Sequence, residues 1–509
     1  MKIKILLSII FSTILLSNSN AQPSIQWEKS LGGTGFDYAY SIRQTYDGGY
    51  IVAGSSASND GDVTGNHGGE DVWVVKLNNF GSIDWQKSYG GTGRDIAHDI
   101  LQTSDGGYII AGTSNSNDGD VTNNHGNYDA WIIKISYSGV IEWERSYGAA
   151  TDDEGANSIC QTFNGGYCFA GKSQYSFYIV EITTLGNIIS ASYVGGNSLE
   201  EANSIIQIAD SGYIVAGSTR STNLTWFHGN SSSDNYDVVI YKKSNGTAWQ
   251  SSWWKCYGGT GNDYSQSIKQ TNDGGYILTG LTGSNDGDAE PGIHGTLWVL
   301  KLLSSGIIEW EKSLGAVTQT YGYSIDLTND NGYIIAGKSI ANGGDVTGNH
   351  GYNDYWVVKL NNDGDIQWQK SLGGSLYDEA FAVHQTNDNG YIIAGFSGSE
   401  NGDVTNHHGN YDFWIVKLDE WSGINLNSIS TELKAFPSPV SDVLTFETSK
   451  GMFIEEIIFT DIIGRKVYTL SNIQKSIGKT NIKIFSPGIY FASVLFSNGN
   501  IIVKKIIKE

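Results

Sequence analysis

The sequence predicts an all-β protein: a seven-bladed β-propeller of four-stranded blades, closed by its own N-terminal strand, then a small C-terminal β-sandwich. Three observations carry this reading. A phrase first seen from Trp27 to Asp84 recurs down most of the chain with a period of roughly 58 residues. Its hairpin turn, Asp47-Gly-Gly-Tyr50, returns at Asp105, Asn164, Asp210, Asp273, Asp330 and Asp388, making seven copies. Short Tyr/Trp/Ile/Val runs between Gly-rich turns, with only five prolines in 509 residues, read as strands. Repeats of this length with several strands each suggest propeller blades, because one four-stranded sheet cannot bury both faces alone. An open solenoid is the competing arrangement.

In chain order, residues 1–21 read as an export leader. Lys2 and Lys4 form the charged start, Ile5 to Leu16 the apolar stretch and Ser19-Asn20-Ala21 the cleavage site. That stretch is shorter than the ~20 apolar residues of a membrane span, and no later segment is long or apolar enough to cross a bilayer. The repeat region is expected over 22–420. Within one copy the strands are Asp37 to Thr45, Tyr50 to Ser55, Asp71 to Leu77 and Ile83 to Tyr89. The first strand keeps small residues at two places, Ala39 and Ser41 in copy one, as a crowded innermost strand requires. The third strand has consecutive apolar residues, the pattern of a strand covered on both faces. The fourth opens with Trp in Trp85, Trp143, Trp253, Trp310 and Trp368, and with Ser190 in the odd copy. No fourth strand follows Trp414 to Leu418, yet the mature chain begins with an orphan one, Ser24 to Leu31. Joined, they close the ring and leave no sheet edge bare.

Copies three and four depart from the pattern. Copy three drops the long loop between its second and third strands, and copy four puts Trp226 and Phe227 where others have polar residues. Those two aromatics are candidate binding residues; drift between copies would leave the same trace. Net charge is −22, and the repeat region alone carries about −27 once the two leader lysines and the basic tail are set aside. Such a surface repels phosphate backbones, which argues against nucleic acid and leaves cations, neutral glycans or basic proteins as partners. Three cysteines cannot build a disulfide framework; Cys160 and Cys168 flank one turn and could face each other.

After a linker at 421–430 the composition changes. Residues 431–509 contain Phe436-Pro437-Ser438-Pro439, an Asp461–Gly464–Val467 hairpin, Gly488-Ile489-Tyr490 and a terminal strand with Lys504-Lys505. This segment resembles the type A C-terminal sorting domain of the type IX secretion system of Bacteroidota, with Phe-Pro-Ser-Pro in place of the usual Tyr-Pro-Asn-Pro. The resemblance implies a small β-sandwich recognised by the secretion machinery, with Pro437, Pro439, Asp461, Gly464, Gly488, Tyr490, Lys504 and Lys505 as its motif residues. It also implies a secreted or surface-held protein. The repeats themselves resemble propeller repeats of secreted bacterial proteins.

Candidate chemistry sits in the long loop. Asp60, Asp62 and Thr64 fall at positions 1, 3 and 5 of a calcium-type loop with Asp71 at 12, and Asp118, Asp120, Thr122 and Asp129 repeat the set. Alternating oxygens suit Ca²⁺, which takes six to eight ligands. The same residues also build tight turns. A histidine ends this loop in six copies, suited to a bond with a neighbouring strand or to weak metal binding. Acidic residues open the first strands (Asp37, Asp95, Glu154, Glu200, Asp263, Asp378), where they accept turn amides or ring a channel mouth. No nucleophile with its base, unequal carboxylate pair, phosphate loop or zinc motif rises above the repeat. The chain therefore reads as a non-enzymatic binding or adhesion module for a glycan or protein, with a polysaccharide hydrolase or lyase as the alternative. Small residues lining the channel favour the first; inward carboxylates with aromatic platforms favour the second.

Overall fold

The computed structural model describes residues 22–509 except 225–234, 245–252, 290–294, 317–318, 421–432, 438, 449–452, 462–464, 476 and 497–500. The leader, the linker, Trp226, Phe227, His228, His294 and Gly464 lie outside the described residues. Gln22–Trp421 forms one compact unit, and Ser422–Glu509 belongs to another.

The first unit contains no helix among its described residues and consists of seven four-stranded antiparallel sheets. Sheet 1 runs through Asp37–Gln44, Tyr50–Ser56, Asp71–Leu77 and Ile83–Tyr89. Sheets 2 to 6 repeat that order, starting from first strands Asp95–Gln102, Glu154–Gln161, Glu200–Gln207, Asp263–Gln270 and Thr320–Leu327. Sheet 7 holds Asp378–Gln385, Tyr391–Ser397 and Asp412–Leu418 and takes its fourth strand from the other end of the chain. Ile25–Leu31 lies antiparallel to Asp412–Leu418, with Leu31 opposite Phe413 and Ile25 opposite Leu418.

Strand alternation decides how the sheets pack. Side chains two apart share a face, so Val52 joins one apolar cluster while Ile51 and Ala53 join the next. Each such cluster spans two successive sheets. The one that takes Ile42, Val52 and Trp73 of the first sheet also takes Leu31, Ile392, Ala394, Phe413 and Ile415 of the seventh. Middle strands are covered on both sides, which is why Asp71–Leu77 is buried at every position. Their tryptophans are anchored as well as packed. The indole N–H of Trp73, Trp131, Trp298 and Trp356 donates to a fourth-strand Gln or Glu at 2.8 Å. In sheet 7 the acceptor is Glu28 of the N-terminal strand, 2.9 Å from Trp414.

The second unit has two antiparallel sheets facing one core. Leu433–Phe436, Val443–Thr448 and Ile477–Asn481 form one; Lys466–Lys475, Ile454–Asp461, Gly488–Phe496 and Ile501–Lys508 form the other. Leu444 and Phe446 of the first meet Ile457, Phe459, Val494 and Ile506 of the second. Asp461 ends its strand and accepts from the backbone N–H and Nε of Arg465 at 2.9 and 3.0 Å. The Tyr490 hydroxyl donates to the Ser486 carbonyl at 2.9 Å. Gly488 opens the strand that contains Tyr490, Lys504 and Lys505 lie in the last strand, and Pro437 and Pro439 are exposed.

Candidate binding site

The acidic loop residues each meet a different donor. Asp60 accepts from the backbone N–H and hydroxyl of Thr34 at 2.8 and 2.9 Å, and Asp62 from Gly32 N–H at 3.4 Å. Thr64 meets Gln86, and Asp71 accepts from His67 N–H at 2.8 Å while His67 Nδ1 lies 2.7 Å from the same oxygen. Asp118 with Thr92, Asp120 with Gly90, Thr122 with Glu144 and Asp129 with His125 repeat this in copy two. Among the described residues, no group of three or more His, Cys, Asp or Glu is arranged to hold a metal ion. The four described loop histidines, His67, His125, His350 and His408, bond to the start of the third strand of their own sheet, as His350 does to Asp354 at 2.7 Å and His408 to Asp412 at 3.0 Å. The acidic residues opening the first strands accept turn amides: Gly33 to Asp37 at 2.9 Å, Gly91 to Asp95 at 2.9 Å, Gly374 to Asp378 at 2.8 Å. Cys160 lies opposite Cys168 in register, and both are free thiols.

A different set of residues comes together at the first strands. Every first strand carries a register shift at its fourth residue, between Ala39 and Ser41 in sheet 1 and at the equivalent place in the other six. A bulge turns its extra residue out of the ladder and re-aims the side chain. The seven bulged residues are Tyr40, His98, Asn157, Asn203, Gln266, Tyr323 and Phe381, and all seven line one cavity of about 280 Å³. The next residue is small in six sheets (Ser41 and its equivalents) and is Asp99 in sheet 2, and Arg43, Leu101, Cys160, Ile206, Lys269 and His384 line the cavity further along the same strands.

The ring of bulged residues has two unlike arcs. Sheets 6, 7 and 1 give aromatics: Phe381 lies 5.1 Å from Tyr323 and 5.2 Å from Tyr40, ring centre to ring centre. Sheets 3, 4 and 5 give carboxamides. Asn157 donates to the Ala202 carbonyl at 3.0 Å and Asn203 to the Ser265 carbonyl at 2.8 Å, so each is oriented by the following sheet. The aromatic arc continues outward through Tyr38, which stacks near Tyr40, to Phe396 at 5.1 Å and on to Tyr411. His98 stays neutral, since burial and then Lys172 push its pKa down to about 4.

Deeper, the charges form a chain. Arg43 pairs with Asp99 at 3.0 Å, and its guanidinium also meets His384 Nε2. His384 Nδ1 lies 2.8 Å from Asp326. Burial, then the Arg43 charge, lowers His384 to about 4, so the neutral ring accepts from Arg43 and donates to Asp326. Burial alone would raise the Asp326 carboxyl; His384, Lys269 and Arg43 overcome it and hold it at about 2. The repeat pattern concealed Tyr40, Tyr323, Phe381, Gln266 and Lys269. Their signal was variation: they occupy columns that change from copy to copy between columns that do not.

Residues 434–509 match the family model of the secretion system C-terminal sorting domain. No curated protein matches the chain. Among solved structures it is similar to PorZ, a surface component of the type IX secretion system of Porphyromonas gingivalis, at 12% identity with a TM-score of 0.46. That match covers 94% of this chain and 60% of PorZ, so the chain spans less than two thirds of that protein. It is also similar to the Pan2 WD40 domain of Neurospora crassa, at 9% identity and a TM-score of 0.42 over 77% of this chain and 95% of that one. No helix among the described residues is long and apolar enough to cross a membrane. The chain is thus a secreted cell-surface protein whose residues 434–509 form a type IX secretion C-terminal sorting domain.

Proposed function

We propose that the seven sheets close into a seven-bladed propeller whose axial cavity binds a glycan at the cell surface without catalysing a reaction. The strand Ile25–Leu31 in sheet 7, and the apolar cluster shared by sheets 7 and 1, support closure. One observation carries the binding reading: the ring of bulged residues puts Tyr40, Tyr323 and Phe381 on one side and Asn157, Asn203 and Gln266 on the other. A sugar ring has an apolar C–H face for the first arc and a hydroxyl edge for the second. Few placed polar groups beside aromatic walls are what small-molecule sites use to fix orientation.

The hydrolase or lyase reading draws on Asp99 and Asp326. A general acid must hold its proton near working pH, and Asp326 at about 2 does not. Asp99 is tied to Arg43 and also accepts from Ser41 Oγ at 3.0 Å and Ile159 N–H at 3.2 Å. Both carboxylates serve the wall. Calcium binding in the Asp60 and Asp118 loops is a further proposal, and it requires those carboxylates to leave Thr34, Gly32, Thr92 and Gly90.

A glycan array probed with the full chain, in calcium and in chelator, tests the reading. Binding should survive the chelator and fall at least tenfold in Phe381→Ala, with the melting temperature little changed. Silence across the array, or full binding by the variant, would overturn it.

A further inference from the structure

We propose that the bound glycan is acidic and sets a uronate carboxylate on the ammonium group of Lys269; this rests on reading the cavity as a glycan site. The chain has a consistent habit with sheltered lysines. Lys76, Lys134, Lys301, Lys359 and Lys417 sit on third strands, and each reaches the aspartate of its own hairpin turn. Those distances run from 2.7 Å for Lys301–Asp273 to 3.1 Å for Lys134–Asp105. Lys269 breaks the habit. It lies on the first strand Asp263–Gln270, lines the cavity, and has no hydrogen-bond acceptor or ion-pair partner among the described residues.

The neighbouring charges do not supply one. Asp99 is held by Arg43, and Asp326 is held by His384. Asp326 gives the largest favourable charge acting on Lys269, but the two make no ion pair. Burial and the Arg43 charge both act against the charged ammonium, so its pKa is lowered. Sheltering a cation without a partner is unfavourable, and an incoming anion offsets that. Gln266, three residues earlier on the same strand, also has no hydrogen-bond partner among the described residues and lines the same cavity. Uncommitted donors thus converge on sheet 5, beside the Tyr323–Phe381 platform. A hexuronate presents a ring face to that platform and a carboxylate within reach of both donors. The acidic exterior acts mainly on encounter, because its field is screened beyond ~10 Å at 0.1 M salt.

The test titrates the full chain with oligogalacturonate, hyaluronan and alginate oligomers, and with the methyl ester of each. At least one acid should bind tenfold or more tightly than its ester. Lys269→Met should abolish that preference, keep ester binding and leave the melting temperature in place, while Lys269→Arg should keep the preference. Acid binding should weaken, and ester binding should not, as pH rises through the lowered lysine pKa. Equal binding of acid and ester, or a preference that survives Lys269→Met, overturns the acidic ligand. If only neutral array glycans bind, the acidic ligand fails and the glycan site stands; if no glycan binds, both fail.

Discussion

Two positions three residues apart on each first strand behave in opposite ways. The opening residue reads Asp37, Asp95, Glu154, Glu200, Asp263, Thr320 and Asp378, nearly constant, while the bulged residue reads Tyr40, His98, Asn157, Asn203, Gln266, Tyr323 and Phe381. The constant residue answers to the neighbouring sheet. A Cβ placed on Gly90 would lie 2.5 Å from Asp95 Oδ2 and 3.0 Å from Asp71 Oδ1, so these carboxylates of sheets 2 and 1 flank one glycine. Asp412 with Asp37, and Asp354 with Asp378, repeat the pairing. Where the opening residue is Thr320, Gly315 packs against it, and the third-strand position equivalent to Asp71 is Thr296. The two positions change together at this junction, while at Gly195 the facing residues are Glu200 and Ser176, so the first-strand acid is also kept without a facing carboxylate. The bulged residue has no such partner to follow, and its variety is what a ligand site needs.

The widest separation of the two classes should come from a third-strand tryptophan. Trp356 is fully buried, packs in the core between sheets 5 and 6 and donates to Gln369. Trp356→Ala should cost about 3–5 kcal/mol in a urea titration, whereas Phe381→Ala costs binding. A Trp356→Ala protein that remains as stable as the parent would break the division between wall and site.

This division also explains how much the sequence disclosed. The strands and the borrowed Ile25–Leu31 segment follow from period, turn residues and apolar runs, and the structure places them within a residue or two of expectation; the sorting domain follows from its motif residues, and the family match covers 434–509. The cavity wall did not follow. A period-2 reading assigns Ala39 and Ser41 to the bore and directs Tyr40 elsewhere, because it has no means of anticipating a bulge between them. The acidic loop supports two readings at once. Asp60 and Asp62 have metal-loop spacing and also accept from Thr34 N–H and Gly32 N–H, one residue type serving a turn and a ligand set equally well.

Carboxyl pairing predicts a pH effect of intermediate size. Burial, followed among the raising causes by the neighbouring Asp378, lifts Asp354 from its ordinary 3.8 to about 6, against hydrogen bonds from His350. Burial likewise raises Asp378, which accepts from Ser397, Ser399 and Gly374. With the folded pKa raised, the folded state keeps a proton that the unfolded chain releases first. Stability is then complete below pH ~4, declines as pH rises toward 6 and is level above. Asp354→Asn removes the carboxyl that titrates beside Asp378. It should raise stability near pH 7 relative to the parent and flatten that part of the profile, as read by melting temperature across pH. An unchanged profile would mean that the pair carries no shared proton.

The smallest effect belongs to the junction without carboxylates, and it separates pairing from burial. At Thr320 the surroundings already suit an aspartate: Ala316 N–H lies 3.2 Å from the Thr320 hydroxyl, as Gly91 N–H does near Asp95. Ser339 stands opposite Thr320 in register, where Ser114 stands opposite Asp95. The buried Thr296 hydroxyl has no hydrogen-bond partner among the described residues and could donate to a new carboxylate. Thr320→Asp should therefore change stability by less than about 1 kcal/mol at neutral pH. The double variant Thr296→Asp/Thr320→Asp rebuilds a facing pair and should lose more stability than the single one between pH 4 and 7. Equal slopes for the two would assign the effect to burial alone, and the repeated acidic residue would then be kept for its turn amides rather than for its neighbour.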